Sequence, residues 1–169
     1  MNNLIINARN GDPNAFVQLI EENKQYMYKI AMGFFSGQAD IDDVMAETVM
    51  VCWEKISTLQ KPEYFKTWLT RILINKCNDI LRERKKTISL DDITDVESHE
   101  FEPESLDLEL LLNELDYKYR IVLILHYSHG YKTEEISDML HIPVGTVTSR
   151  LKRGREHLAK ILKGGIGNE

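Results

Sequence analysis

Hydroxyl, ammonium and guanidinium groups crowd into one short stretch near the end of the chain: Thr146, Thr148, Ser149, Arg150, Lys152 and Arg153. An arginine fork can pair with the acceptor edge of guanine, and hydroxyls can serve several base edges, so this set suits readout in a DNA major groove. At about 100° per residue, Val144, Val147, Leu151 and Leu158 share one side of a helix. Ser149, Lys152 and Arg153 point the other way, Thr146 and Arg150 flank them, and Thr148 sits at the edge. An ordinary amphipathic surface helix with solvated charges is the plain alternative. What favours groove reading is the segment in front. Thr133 reads as an N-cap with Glu134 and Glu135 in the first turn, and Ile136, Met139 and Leu140 form an apolar face. His141 and Ile142 break the run, and Pro143 reads as the first residue of the basic helix. Helix, tight turn and basic helix together are the pattern of a helix-turn-helix.

A second constellation lies mid-chain. Tyr64, Phe65 and Trp68 cluster at the start of a helical pattern, interleaved with Lys66, Arg71, Asn75 and Lys76. Aromatic faces stack unpaired bases while basic and amide groups follow the phosphates. Aromatics at helical spacing more commonly belong to a core, and Phe65 and Trp68 fit that reading with Leu69 and Ile72, whereas Tyr64 fits either. A third group, Asp40, Asp42, Asp43 and Glu47, makes an acidic patch on the preceding helix. It reads as a solvated face or as a docking face for a basic partner. A catalytic role is disfavoured, because no His, Cys or Gly-rich loop accompanies the carboxylates.

These residues need helices to position them, and the whole chain reads as all-α. Asp12 caps a helix that Pro13 opens, with Phe16, Leu19, Ile20, Met27, Ile30, Ala31 and Phe34 at helical spacing and a stop near Gly37. Asp40 reads as the cap of a second helix, and a third spans about residues 63–86. Three helices with short connections imply a bundle. Periodicity fails over 87–107 and resumes at Leu108, with Gly130 as a C-cap ahead of the helix-turn-helix. The expected organisation is two small helical domains, 1–86 and 108–163, joined by an acidic flexible linker, 87–107, and followed by a frayed tail, 164–169.

Charge follows the same division. Residues 1–86 hold twelve Lys/Arg and eleven Asp/Glu, whereas residues 87–117 hold eleven acids and no Lys or Arg. Residues 118–169 hold nine bases and five acids, so the overall charge of −6 conceals a basic C-terminal module. A tethered acidic segment can compete with DNA phosphate for nearby Lys and Arg, or can simply stay solvated.

Several function classes drop out. Cys52 and Cys77 show no metal-ligand or redox spacing, and no phosphate loop or catalytic triad pattern occurs. Neither an enzyme nor a cofactor is expected, and no small-molecule substrate. No secretion signal opens the chain and no apolar run reaches membrane-spanning length, so a cytoplasmic protein without direct membrane insertion is expected.

With these residues in place, the chain resembles the extracytoplasmic-function group of bacterial sigma factors over nearly its full length. Gly11 to Phe16 is similar to the family's opening helix. Asp40 to Thr48 followed by Trp53 resembles its core-polymerase-binding helix, Phe65 to Ile72 its promoter-melting segment, and Pro143 to Arg150 its recognition helix. The resemblance implies core RNA polymerase and promoter DNA as partners, and an anti-sigma factor that can hold the protein at the membrane. It implies contacts of Asp40, Asp42, Asp43, Glu47 and Trp53 with polymerase, and of Thr148, Ser149, Lys152 and Arg153 with the minus-thirty-five element. The loop from Leu59 to Tyr64 and the start of the third helix would capture an unstacked base of the minus-ten element. A ligand-sensing or dimeric one-component repressor is the rival reading, and an RNA-binding helical adaptor a weaker one.

Overall fold

The computed structural model describes residues 2–88 and 108–165. Helix α1 spans Asn2–Arg9, α2 Pro13–Met32 and α3 Gln38–Lys55. Two 3-10 turns, Ile56–Thr58 and Pro62–Tyr64, lead into α4, Phe65–Ile88. In the second half come α5, Leu108–Asn113, and α6, Tyr117–Leu123, which runs on as a π turn over Ile124–Ser128. Helices α7, Thr133–Leu140, and α8, Val144–Gly165, form the helix-turn-helix. No strand occurs among the described residues.

Local chemistry explains most of the boundaries. The Asp12 carboxylate accepts from the N–H groups of Asn14 and Ala15 at 2.9 and 3.2 Å, and Pro13 follows as the first helical residue. Along α3, Ile41, Val44, Thr48 and Cys52 repeat every three to four residues and are all buried, as are Phe65, Leu69, Leu73 and Cys77 along α4. Burial pushes the Cys52 thiol up to about 12, so it stays protonated and acts as a small apolar group.

Four boundaries differ from the sequence reading. Helix α1 was not foreseen, since its eight residues bury only Ile5 and Ala8. Helix α2 stops at Met32 rather than near Gly37, and Phe34 and Phe35 are buried beyond its end. Asp40 is not a cap: α3 begins at Gln38 behind Gly37, and the Asp40 carboxylate pairs with Arg84 instead. In α7 the capping group is Glu135, whose carboxylate accepts the Lys132 N–H at 2.8 Å, so Thr133 is already helical. Smaller shifts also occur. Pro143 precedes α8 and its carbonyl accepts from the N–H groups of Thr146 and Val147. The last helix includes residues 164 and 165, expected in the tail. Helix α4 runs on to Ile88, two residues into the expected linker of 87–107. The rest of that linker, 89–107, and residues 166–169 lie outside the described residues.

The two halves are packed together. One buried cluster runs from Ile5 and Leu19 through Leu69 and Ile74 to Ile121, Leu125, Ile136 and Val147. At one end of the seam between the halves, Gly33 faces Ile121 so closely that a Cβ on it would lie 2.7 Å from Ile121 Cδ1. The buried Arg120 donates from Nε to the Gly33 carbonyl at 3.3 Å and from Nη1 to Ser36 Oγ at 2.9 Å and Asn113 Oδ1 at 2.8 Å. Burial lowers the pKa of this guanidinium, with Asp116 acting in the opposite direction. At the other end the Tyr26 hydroxyl lies 2.6 Å from both Thr70 Oγ1 and the Tyr131 hydroxyl. The His129 ring meets the Tyr26 ring edge-on at 4.4 Å.

Candidate nucleic-acid and polymerase interfaces

The turn of the helix-turn-helix is made by His141, at φ 54°, with the Ser137 hydroxyl donating to the Ile142 carbonyl at 2.6 Å. Ile136 and Met139 of α7 and Val147 and Leu151 of α8 are buried, which fixes the rotation of α8 about its axis. Its outer face then presents Thr148, Ser149, Lys152 and Arg153, all exposed, with Thr146 and Arg150 half-buried at the margins. Val144, expected on the buried side, is the first residue of the helix and is 40% exposed. Thr148 Oγ1 donates to the Val144 carbonyl at 3.1 Å and Ser149 Oγ to the Thr146 carbonyl at 3.0 Å. With their protons so engaged, both hydroxyls offer lone pairs, suited to the amino groups of adenine or cytosine. Gly154 lets α8 approach α6, since a Cβ there would meet Leu123 Cδ1 at 3.0 Å. Arg155, absent from the sequence-level site, donates to the Tyr127 hydroxyl at 2.8 Å and ties α8 to the π turn.

The mid-chain residues divide. Tyr64, Arg71 and Asn75 are exposed, and helical spacing puts them with the half-buried Trp68 on one face. Phe65 is core, at 1% exposure, with its ring 6.0 Å from Trp68. Tyr64, at 55% exposure, has the Lys61 ammonium 5.7 Å from its ring centroid. Lys66 lies on a different side, 5.3 Å over the Tyr26 ring, and the half-buried Lys76 pairs with Glu47 at 3.5 Å. One aromatic and basic stripe thus forms from Tyr64, Trp68, Arg71 and Asn75, and does not include the two lysines.

The acidic patch is partly neutralised from within. Asp40 is paired with Arg84 and Glu47 with Lys76, both from α4. Asp42 accepts from Gln38 Nε2 at 2.8 Å and remains exposed, as does Asp43. Along the same face of α3 follow Ala46, Val49, Met50 and Trp53, with Met50 66% and Trp53 40% exposed. The Trp53 ring leans on Phe16 at 5.0 Å. An apolar groove of about 430 Å³ runs beside this face, with Val17 and Ile20 of α2 on its far wall. The sequence reading found the acids but not this groove, which only the packing of α2 against α3 creates. Among the described residues no helix is long and apolar enough to cross a membrane, and no cluster of His, Cys, Asp and Glu could hold a metal ion.

A helical N-terminal unit with an aromatic and basic stripe, followed by a helix-turn-helix with a basic outer face, is the plan of a promoter-directing subunit. Residues 19–87 match the sigma-70 region 2 family and residues 105–158 the sigma-70 region 4 family. The RNA polymerase sigma factor SigV of Bacillus subtilis is 32% identical over 141 residues, spanning 81% of this chain and 84% of that protein. SigW of the same organism, an ECF RNA polymerase sigma factor, is 29% identical over 92% of this chain and 93% of that protein. Among solved structures, the sigma factor RpoE of Bartonella quintana, crystallised with the anti-sigma factor NepR, superposes with a TM-score of 0.71. That likeness spans 88% of this chain and 96% of that one at 27% identity. The chain belongs to the extracytoplasmic-function group of the sigma-70 family. It binds core RNA polymerase and directs promoter-specific initiation of transcription.

Proposed function

We propose that the two units divide promoter recognition between them, residues 1–86 serving polymerase and the minus-ten element and residues 108–163 the minus-thirty-five element. The exposed face of α8 carries the second assignment: Ser149, Lys152 and Arg153 lie together on the side opposite the buried Val147 and Leu151. Thr146 and Arg150 reach the phosphates at the margins of the groove, and Thr148 completes the acceptor pair with Ser149. Tyr64, at the end of the 3-10 turn, and Trp68 of α4 stack an unpaired base while Arg71 and Asn75 of α4 follow the strand. Lys66, over the Tyr26 ring, and Lys76, paired with Glu47, stand outside this stripe. The protein catalyses nothing itself; it positions the polymerase and favours the open duplex.

Polymerase docks on α3 through a mixed surface. Asp42 and Asp43 face solvent at its start and Met50 and Trp53 further along, so a basic partner with an apolar ridge fits it better than a purely basic one. Asp40 and Glu47 contribute from the margin, where α4 cations now hold them. Because RpoE was solved with NepR, an anti-sigma factor is the expected inhibitor here as well. Promoter variants in run-off transcription test the α8 assignment. Arg153→Ala should cost about 1–3 kcal/mol at one upstream position and relax the preference there. A loss spread evenly over all promoter sequences would mean that Arg153 touches phosphate alone.

A further inference from the structure

Methionine sulfur collects along one groove. Of the five methionines among the described residues, Met27, Met45 and Met50 line the groove between α2 and α3, while Met32 and Met139 are buried in the core. Exposure rises across the groove: Met27 is buried, Met45 half-buried and Met50 66% exposed. Met50 is the one methionine among the described residues that solvent reaches freely. It lies one helical turn before Trp53 on α3, where side chains three apart are neighbours. The thioether therefore stands in the apolar part of the face assigned above to polymerase. Cys52 and Cys77, the other oxidisable sulfurs, are closed off at 0% exposure. Burial pushes both thiols up, so neither supplies the thiolate through which cysteine is oxidised.

A thioether needs no deprotonation before it reacts, and its oxidation turns a flexible apolar side chain into a polar one. We propose that Met50 is a reversible oxidation site, at which a hypohalous acid switches off docking on core polymerase. With hypochlorous acid the net step forms one S–O bond and breaks the O–Cl bond. Sulfur gives up two electrons, and chloride and a proton leave. Return takes two electrons and two protons from a pair of thiols, through methionine sulfoxide reductase, and yields the thioether, a disulfide and water. The sulfoxide oxygen is a strong hydrogen-bond acceptor. Pressed against an apolar ridge it loses water and gains no donor, so the contact that favoured docking now opposes it. Because Met50 is at the surface, its oxidation leaves the packing of α2 on α3 intact. The inference rests on the reading of α3 as the polymerase surface and adds covalent control to it.

The test treats the full chain alone with stoichiometric hypochlorous acid, quenches with free methionine, and then titrates it against untreated core polymerase. Peptide mass mapping should find the sulfoxide at Met50 ahead of Met27, Met32, Met45 and Met139. Core affinity should fall about tenfold or more, the worth of one buried methionine side chain, with circular dichroism unchanged. Methionine sulfoxide reductase with dithiothreitol should restore it. Met50→Leu, whatever its own starting affinity, should keep that affinity through the same treatment, because leucine is apolar and carries no sulfur. The proposal is overturned if the sulfoxide forms first at another of these positions, if the chain oxidised at Met50 binds core undiminished, or if Met50→Leu loses as much as the parent. Untreated Asp43→Lys separates the two readings. If it binds core like the parent, the docking surface lies elsewhere and this inference falls with it. A weakened Asp43→Lys beside an undiminished oxidised parent refutes the oxidation site alone.

Discussion

Gly33→Ala places a methyl group where two helices already touch. The residue sits at φ −62°, ψ −26°, a helical conformation that alanine adopts without strain. The obstacle is across the seam: the added Cβ would lie 2.7 Å from Ile121 Cδ1 and 3.3 Å from Ile121 Cα, and 2.9 Å from the Ile30 carbonyl oxygen. The Ile121 side chain can rotate away, but its backbone and the carbonyl can move only with their helices. Overpacking of this kind costs about 1–3 kcal/mol, against a gain of roughly 0.5–1 kcal/mol from restricting the unfolded chain. The net expectation is a loss of about 1–2 kcal/mol, or a melting temperature lower by about 3–6 °C for a protein of this size. Gly145→Ala is the matched control, because a Cβ there meets nothing within 4 Å and lies in α8. It should be neutral or stabilising by up to about 1 kcal/mol. Thermal melts of the two variants and the parent, followed by circular dichroism, decide the matter. A Gly33→Ala protein that melts at or above the parent would refute the close packing of α2 against α6.

Three further outcomes are expected. Asp43→Lys should weaken capture of core polymerase without changing helicity or melting temperature, since the side chain is exposed; unaltered affinity would move the docking surface elsewhere. His129 is held neutral down to about pH 4 by burial first and by Lys29 and Lys66 second. The unfolded chain therefore binds the extra proton between about pH 6.5 and 4, so this contribution is complete above 6.5 and is lost as pH falls towards 4. The parent should lose at most about 3 kcal/mol over that window relative to His129→Gln, and parallel pH–stability curves would contradict the buried neutral ring. His141→Gly should stabilise the helix-turn-helix by up to about 1 kcal/mol, because the left-handed backbone there suits glycine; a lower melting temperature would show that the His141 side chain contributes more than its strained backbone costs.

Periodicity made the helices of the bundle and the helix-turn-helix legible, because each buries one face whose spacing is written in the chain, as with Ile41, Val44, Thr48 and Cys52. The outer face of α8 followed from the same arithmetic. What could not be read was where the two halves meet. Arg120 lies in the run Arg-Ile-Val-Leu-Ile-Leu with nothing local to show that its partners are Gly33 and Ser36, more than eighty residues away. Tyr26, Thr70 and Tyr131 are likewise ordinary polar residues until packing joins them. Caps were misplaced by a few residues where a competing group prevailed: Arg84 drew Asp40 out of the capping role, and Glu135 took it from Thr133. The acidic patch looked uniform because the pairing of Asp40 and Glu47 with α4 is a tertiary contact.

The central claim is that this chain turns core RNA polymerase into a promoter-specific enzyme by reading two separated DNA elements. Multi-round transcription of genomic fragments with purified core polymerase, with and without the protein, measures that directly. The account predicts discrete start sites that appear only when the protein is present, each preceded by two shared sequence elements. No such start sites, together with tight binding of the protein alone to duplex DNA as a dimer, would contradict it and favour a repressor.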